Sequence, residues 1–192
     1  MAAERACNER LCINDRAACA IAHGSGCLAS AFTTAIALKK LDSTCGQSQA
    51  QFEKLKTLAG QWTATTSHGE GQEKTSNFRY AVTAGGTAAV KTLFEGSEQE
   101  MVAVFRLDGH NLVLTHYCVL GNQPRMITRS GDDVLNVAFE FAGSSNIKSK
   151  DDQHMHQATY SFVTGDHVYA TWVMHKNGKE VERVDIDLHR KK

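Results

Sequence analysis

The chain has 192 residues, with 21 basic and 21 acidic side chains, 7% aromatic residues and six cysteines. That length suits one domain plus an extension, and the balanced charge leaves no electrostatic footprint for nucleic acid or an anionic membrane surface. The apolar run CLASAFTTAIAL is 12 residues long, too short to span a bilayer.

Residues 1–50 show no alternating pattern and hold Cys7, Cys12, Cys19, Cys27 and Cys45; only Cys118 follows. Those spacings fit no paired C-x-x-C zinc site. The apolar run suits the core of a signal peptide, and the small residues Ser48 and Ala50 permit cleavage before Gln51. The long segment ahead of the run predicts a translation start near Cys27 or Leu28, with an exported, periplasmic or secreted product. Lys39-Lys40 interrupts the approach to the cleavage site, which keeps a disordered cytoplasmic extension open as the other reading. Cleavage would remove five cysteines, so no disulfide framework is expected. The predicted division is a poorly structured leader over 1–50 and a folded domain over 51–192.

The domain begins with a short helix, QFEKLKTLAGQW, in which Phe52, Leu55 and Leu58 or Ala59 share a face and Gly60 stops the turn. From there the hydrophobic period is two, predicting strands at 61–67, 75–84, 87–94, 101–108, 111–118, 125–130, 133–142, 154–163, 167–176 and 179–190. Phe78, Tyr80 and Val82 form one inward series. Leu135, Val137, Phe139 and Phe141 form another, and Val184, Ile186 and Leu188 a third. Gly85-Gly86, Asp108-Gly109, Gly165-Asp166 and Asn177-Gly178 supply hairpin turns, residues that accept positive φ. The fold predicted is all-β, an antiparallel up-and-down barrel of about ten strands closed to remove its edges. Connections after even strands are short, and those after strands 1, 3, 5 and 7 are longer. Long loops therefore gather at one mouth, while tight turns and the helix close the other end.

Gly60-Gln61-Trp62, after a short helix and opening the first strand, resembles the G-x-W signature of lipocalins and their calycin relatives. The chain from Phe52 onward, including TAGG, LTHYC and GNQPRM, resembles uncharacterised bacterial lipocalin-like single-domain proteins, often exported. Other lipocalin motifs are not evident, so a fatty-acid-binding-type or nitrobindin-like calycin is the nearer comparison. The resemblance implies a basic side chain from the last strand lying across the tryptophan ring. Arg190 is the match, and strand parity places it at the closed end with Gly60 and Trp62. No settled activity comes with the resemblance.

Strand 5 turns Leu112 and Leu114 inward, which takes His116 and Cys118 along and leaves Tyr117 outside. Pro124 suits the approach to strand 6, where no ladder donor is needed, and Met126 and Thr128 then point in with Arg125 and Arg129 outside. Strand 8 gives His154, His156, Ala158, Tyr160 and Phe162 as its inward face, and strand 9 gives Val168, Ala170, Trp172 and Met174. Three histidines, His116, His154 and His156, thus converge on the mouth, with Asp151 and Asp152 nearby to orient His154. They admit three readings: rim polar groups bonded to loops and water, a haem or other ligand contact, and a zinc-like triad with an open position. His116 and Cys118 also stand as a thiol–imidazole dyad would, although a small buried cysteine is the simpler reading.

The function expected is non-enzymatic binding of a small, largely apolar molecule inside the barrel, by a carrier or sensor. Its ligand-binding residues are His116, Cys118, Met126, His154, His156, Tyr160 and Trp172. The alternatives are a haem or metal protein, or a metal-assisted enzyme using His116, His154 and His156, and a structural module with a filled core. Small inward residues such as Ala88, Ala158 and Ala170 suit either a guest or a packed interior. No cofactor is required, though haem or zinc is admitted, and no nucleic acid or transmembrane segment is expected. The chain is expected to be a monomer or weak homodimer.

Overall fold

The computed structural model describes residues 46–68, 72–129 and 133–192. Residues 1–45 of the expected leader, with the expected start near Cys27, lie outside them, as do residues 69–71 and 130–132. Residues 46–56 are helical, and ten strands follow: β1 Gly60–His68, β2 Gln72–Thr83, β3 Ala88–Leu93, β4 Met101–Asp108, β5 Asn111–Tyr117, β6 Gln123–Thr128, β7 Asn136–Ser145, β8 His154–Phe162, β9 His167–Lys176 and β10 Lys179–Arg190. Each strand pairs antiparallel with its sequence neighbours, and β1 pairs with β10 to close the barrel. No helix among the described residues is long and apolar enough to cross a membrane.

The helix begins five residues before the expected boundary. Ser48 is buried and donates to the His110 carbonyl at 2.8 Å, and Gln51 donates to the Asp133 carbonyl at 3.2 Å. Lys56 reaches the Gly86 carbonyl. These acceptors follow β4, β6 and β2, so the helix caps the end where even strands finish. Phe52, Leu55 and Leu58 face the core from it, each burial stabilising by roughly 1.5–3 kcal/mol. Trp62 lies fully buried beside this plug and donates to the Leu58 carbonyl at 2.7 Å.

Arg190 stands opposite Trp62 in the β1–β10 ladder with its guanidinium carbon 4.5 Å from the indole centroid. Its nitrogens donate to the carbonyls of Ala59 and Thr57 and to the Asp166 carboxylate, at 2.8–2.9 Å. Gly60 has φ +137, and a Cβ there would meet an Arg190 nitrogen at 2.9 Å. Glycine at this position therefore serves both an unusual backbone angle and a close approach. The expected closed end is the one observed.

Four details differ from the sequence expectation. Leu135 and Val82 are exposed rather than inward, because β7 starts one residue after Leu135 and Val82 sits at the end of β2. The loop after β7 is 146–153, not 143–153, since β7 runs to Ser145. In β3 the phase is reversed: Ala89, Lys91 and Leu93 are buried and Ala88 is not, because their β4 partners are Phe105, Ala103 and Met101. In β8 the register shifts between Met155 and Gln157, placing His156 at a bulge. Such an extra residue breaks the two-residue alternation on which the inward face of β8 was predicted.

Candidate ligand cavity

A cavity of about 270 Å³ opens at the end away from the helix. Its walls come from the strand ends and from the loops after β3, β5 and β7, including Leu93, Phe94, Met101, Cys118, Met155 and Trp172. Residues 118–122 form a tight turn in which the Gly121 amide donates to the Cys118 carbonyl and the Cys118 amide to the Asn122 carbonyl. Asn122 in turn donates to the Gln153 carbonyl, joining two mouth loops. Lys74 and Glu182 are the charged members of the lining.

The residues expected to bind a ligand fall into three groups. His116, Cys118 and Trp172 line the cavity. Met126 and Tyr160 are fully buried in the core and do not line it. His154 and His156 lie elsewhere, in a ring cluster with Phe141 and His175. There the His156 and His175 rings stack at 3.9 Å, and His154 Nε2 lies 3.1 Å from His156 Nδ1. The bulge explains the departure, since it puts Gln153 and Met155 on the cavity in place of the two histidines. The expected convergence of His116, His154 and His156 is therefore not formed. Nor do the nearby carboxylates orient His154: its Nδ1 meets the Asp152 backbone carbonyl at 2.7 Å, while the Asp152 carboxylate accepts from the Lys148 and Ser149 amides.

Below the cavity the barrel holds a residue that sequence reasoning missed. Lys91 is completely buried, with Nζ 5.0–5.6 Å from the centroids of Phe78, Tyr80, Tyr160 and Trp172. Its one polar contact is the Tyr160 hydroxyl at 3.4 Å, and no carboxylate among the described residues lies within ion-pair distance. Burial lowers the Lys91 pKa to about 7. Lys91, Ala103 and His116 are cross-strand partners on a single rung across β3, β4 and β5. His116 is fully buried, its ring 4.9 Å from Trp172, and neither ring nitrogen has a partner. Burial first, and then the Lys91 charge, lower the His116 pKa to about 4, so the imidazole is neutral near pH 7. The Tyr80 hydroxyl is also unpartnered, and Trp172 Nε1 faces Tyr160 without closing a hydrogen bond of good geometry.

The thiol–imidazole pair lacks the features of a nucleophile. Burial pushes the Cys118 thiol up despite backbone hydrogen bonds from Leu120 and Val119, and His116 makes no hydrogen bond to it. Among the described residues, one group could place three ligand atoms close enough for a metal ion: His167, Asp187 and His189, on the outer wall near the closed end. His167 Nε2 meets Asp187 at 2.6 Å and the two imidazoles stack at 4.3 Å. His167 and His189 are direct cross-strand partners, a pairing set by the register shift between Glu180 and Glu182 on β10.

The fold and cavity define a class: a closed, sequentially paired antiparallel barrel with one plugged end and one open end. No family model matches the chain, and no curated protein matches it. Among solved structures, it is similar to a protein of unknown function from Nostoc punctiforme, at 10% identity and a TM-score of 0.47. That match covers 70% of this chain and 48% of the other, so it spans about half the length of the Nostoc protein. It is also similar to a redesigned β-barrel at 10% identity and a TM-score of 0.36, covering 72% of this chain and 95% of that one.

Proposed function

We propose that the protein binds a small, largely apolar molecule in the barrel interior, as a carrier or sensor rather than an enzyme. One observation carries this reading: a cavity of about 270 Å³ whose mostly apolar walls hold a fully buried imidazole with no hydrogen-bond partner. Buried polar groups are ordinarily satisfied, and a pocket with a few such groups among apolar walls is the usual form of a ligand site. A cavity of about 150 Å³ accommodates benzene, so this one has room for a guest with a short chain or one to two rings. The separation of His116 from His154 and His156 favours this reading over a haem or zinc centre built from the three.

The test is native mass spectrometry of the full chain purified from its host, followed by calorimetric titration with octan-1-ol. A bound small molecule released on denaturation, or saturable octan-1-ol binding that Trp172→Ala weakens, is the expected result. An interior that carries nothing and takes up no octan-1-ol at its solubility limit would leave the barrel as a filled structural module.

A further inference from the structure

The interior polar groups have a composition that points to the chemistry of the guest. Lys91 has three N–H donors and one long contact, to Tyr160. The neutral His116 ring offers one donor and one acceptor, both unused, and the Tyr80 hydroxyl is unused as well. Donors outnumber acceptors, and the excess includes an ammonium with no counter-charge. A buried cation without a partner is costly, and the four surrounding ring faces offset only part of that cost. The missing component is an anionic acceptor. Ala103, the cross-strand neighbour of both Lys91 and His116, contributes only a methyl. His116 lines the cavity, and Lys91 lies behind that lining. Above them the cavity walls are mostly apolar, with Leu93, Met101, Met155 and Trp172 among them.

We propose that the guest is a small monocarboxylate, its carboxylate received between Lys91 and His116 and its apolar body extending toward the mouth. This rests on the reading of the barrel as a ligand carrier and adds the chemical class of the ligand. A carboxylate supplies two oxygens that only accept, and it balances the single positive charge. An alcohol or amide would leave the ammonium uncompensated. A free inorganic anion would gain nothing from the apolar walls.

The pH dependence follows from the groups around Lys91. Tyr80 and Phe78 face it from β2, Ala103 from β4, His116 from β5, Tyr160 from β8 and Trp172 from β9; Lys74, Glu182 and Cys118 stand further out in the lining. Burial pushes both tyrosines up and holds His116 neutral, so Lys91 is the interior group that changes charge near neutrality. Carboxylate affinity should therefore fall as the pH rises past about 7.

The experiment is titration of the full chain with octanoate and with octan-1-ol, at pH 6.5 and pH 9, in the wild type and in Lys91→Met. Octanoate should bind at least about tenfold more tightly than octan-1-ol at pH 6.5, the scale of one hydrogen bond to a charged group. That preference should shrink at pH 9 and vanish in Lys91→Met. The wild-type pH comparison stands even if the variant fails to fold. Equal binding of octanoate and octan-1-ol by the wild type overturns the carboxylate subsite while leaving the apolar carrier intact. Failure of both to bind overturns the carrier reading, and the subsite with it.

Discussion

Replacing Lys91 with methionine is the perturbation whose outcome is least expected from a surface view of lysine. The side chain sits wholly inside the barrel, its ammonium ringed by Phe78, Tyr80, Tyr160 and Trp172. Its pKa falls from 10.5 to about 7 through burial. Below pH 7 the folded and unfolded chains both hold this proton, and the folded state carries the full cost of the buried charge. Between about 7 and 10.5 only the unfolded chain holds it, so stability rises with pH across that window. The gap between 10.5 and about 7, at about 1.36 kcal/mol per pH unit, sets a ceiling of about 5 kcal/mol on the cost. Methionine has a similar unbranched length and no charge. Lys91→Met should therefore stabilise the unliganded protein by on the order of 2–4 kcal/mol at pH 6, and by less than about 1 kcal/mol at pH 10. Urea melts of both proteins at pH 6, 8 and 10 give the difference directly, and subtracting wild type cancels the other titrations. A destabilised variant at pH 6, or a stability difference that does not change with pH, would refute the assignment of Lys91 as a buried, uncompensated cation.

His116 makes the opposite demand on pH. Its folded pKa of about 4 lies below the unfolded 6.5, so the wild type should lose up to about 3 kcal/mol between pH 6.5 and pH 4, a loss absent from His116→Phe in parallel urea melts. Trp62→Ala removes a fully buried indole from the plugged end and should cost about 3–5 kcal/mol; a loss below about 1 kcal/mol would mean that end is not what closes the barrel. Cys118, half-buried on the cavity with its thiol pushed up, should alkylate more slowly than a free thiol. Octan-1-ol should slow it further, read by peptide mass mapping; equal labelling with and without the alcohol would take Cys118 off the cavity wall. Paired His154→Ala and His156→Ala substitutions should leave octan-1-ol affinity within about threefold of wild type, and a larger loss would return those histidines to the binding site.

The closed end was readable because its signals are local and redundant. A helix face at Phe52, Leu55 and Leu58, a glycine before Trp62, and hairpin turns at regular spacing fix how many times the chain reverses. Reversal count alone then sends Trp62 and Arg190 to the same end. The same parity put His116, Cys118 and Trp172 on the open side, where they line the cavity. It failed for His154 and His156 because alternation assumes an unbroken register. One inserted residue on β8 re-aims its neighbours without any mark in composition.

Lys91 shows the limit from the other direction. The segment AAVKTL can present Ala88, Val90 and Thr92 to the core, or Ala89, Lys91 and Leu93, and every prior about charged side chains favours the first choice. What decides it is the ladder with β4, which sets Ala89 against Phe105 and Lys91 against Ala103. The sequence by itself determined the number of strands, their antiparallel order and which end is plugged, since periodicity and turn chemistry are properties of neighbouring residues. Which side chains meet in the interior was decided only by the closed barrel, because cross-strand register and a single bulge join residues far apart in the chain.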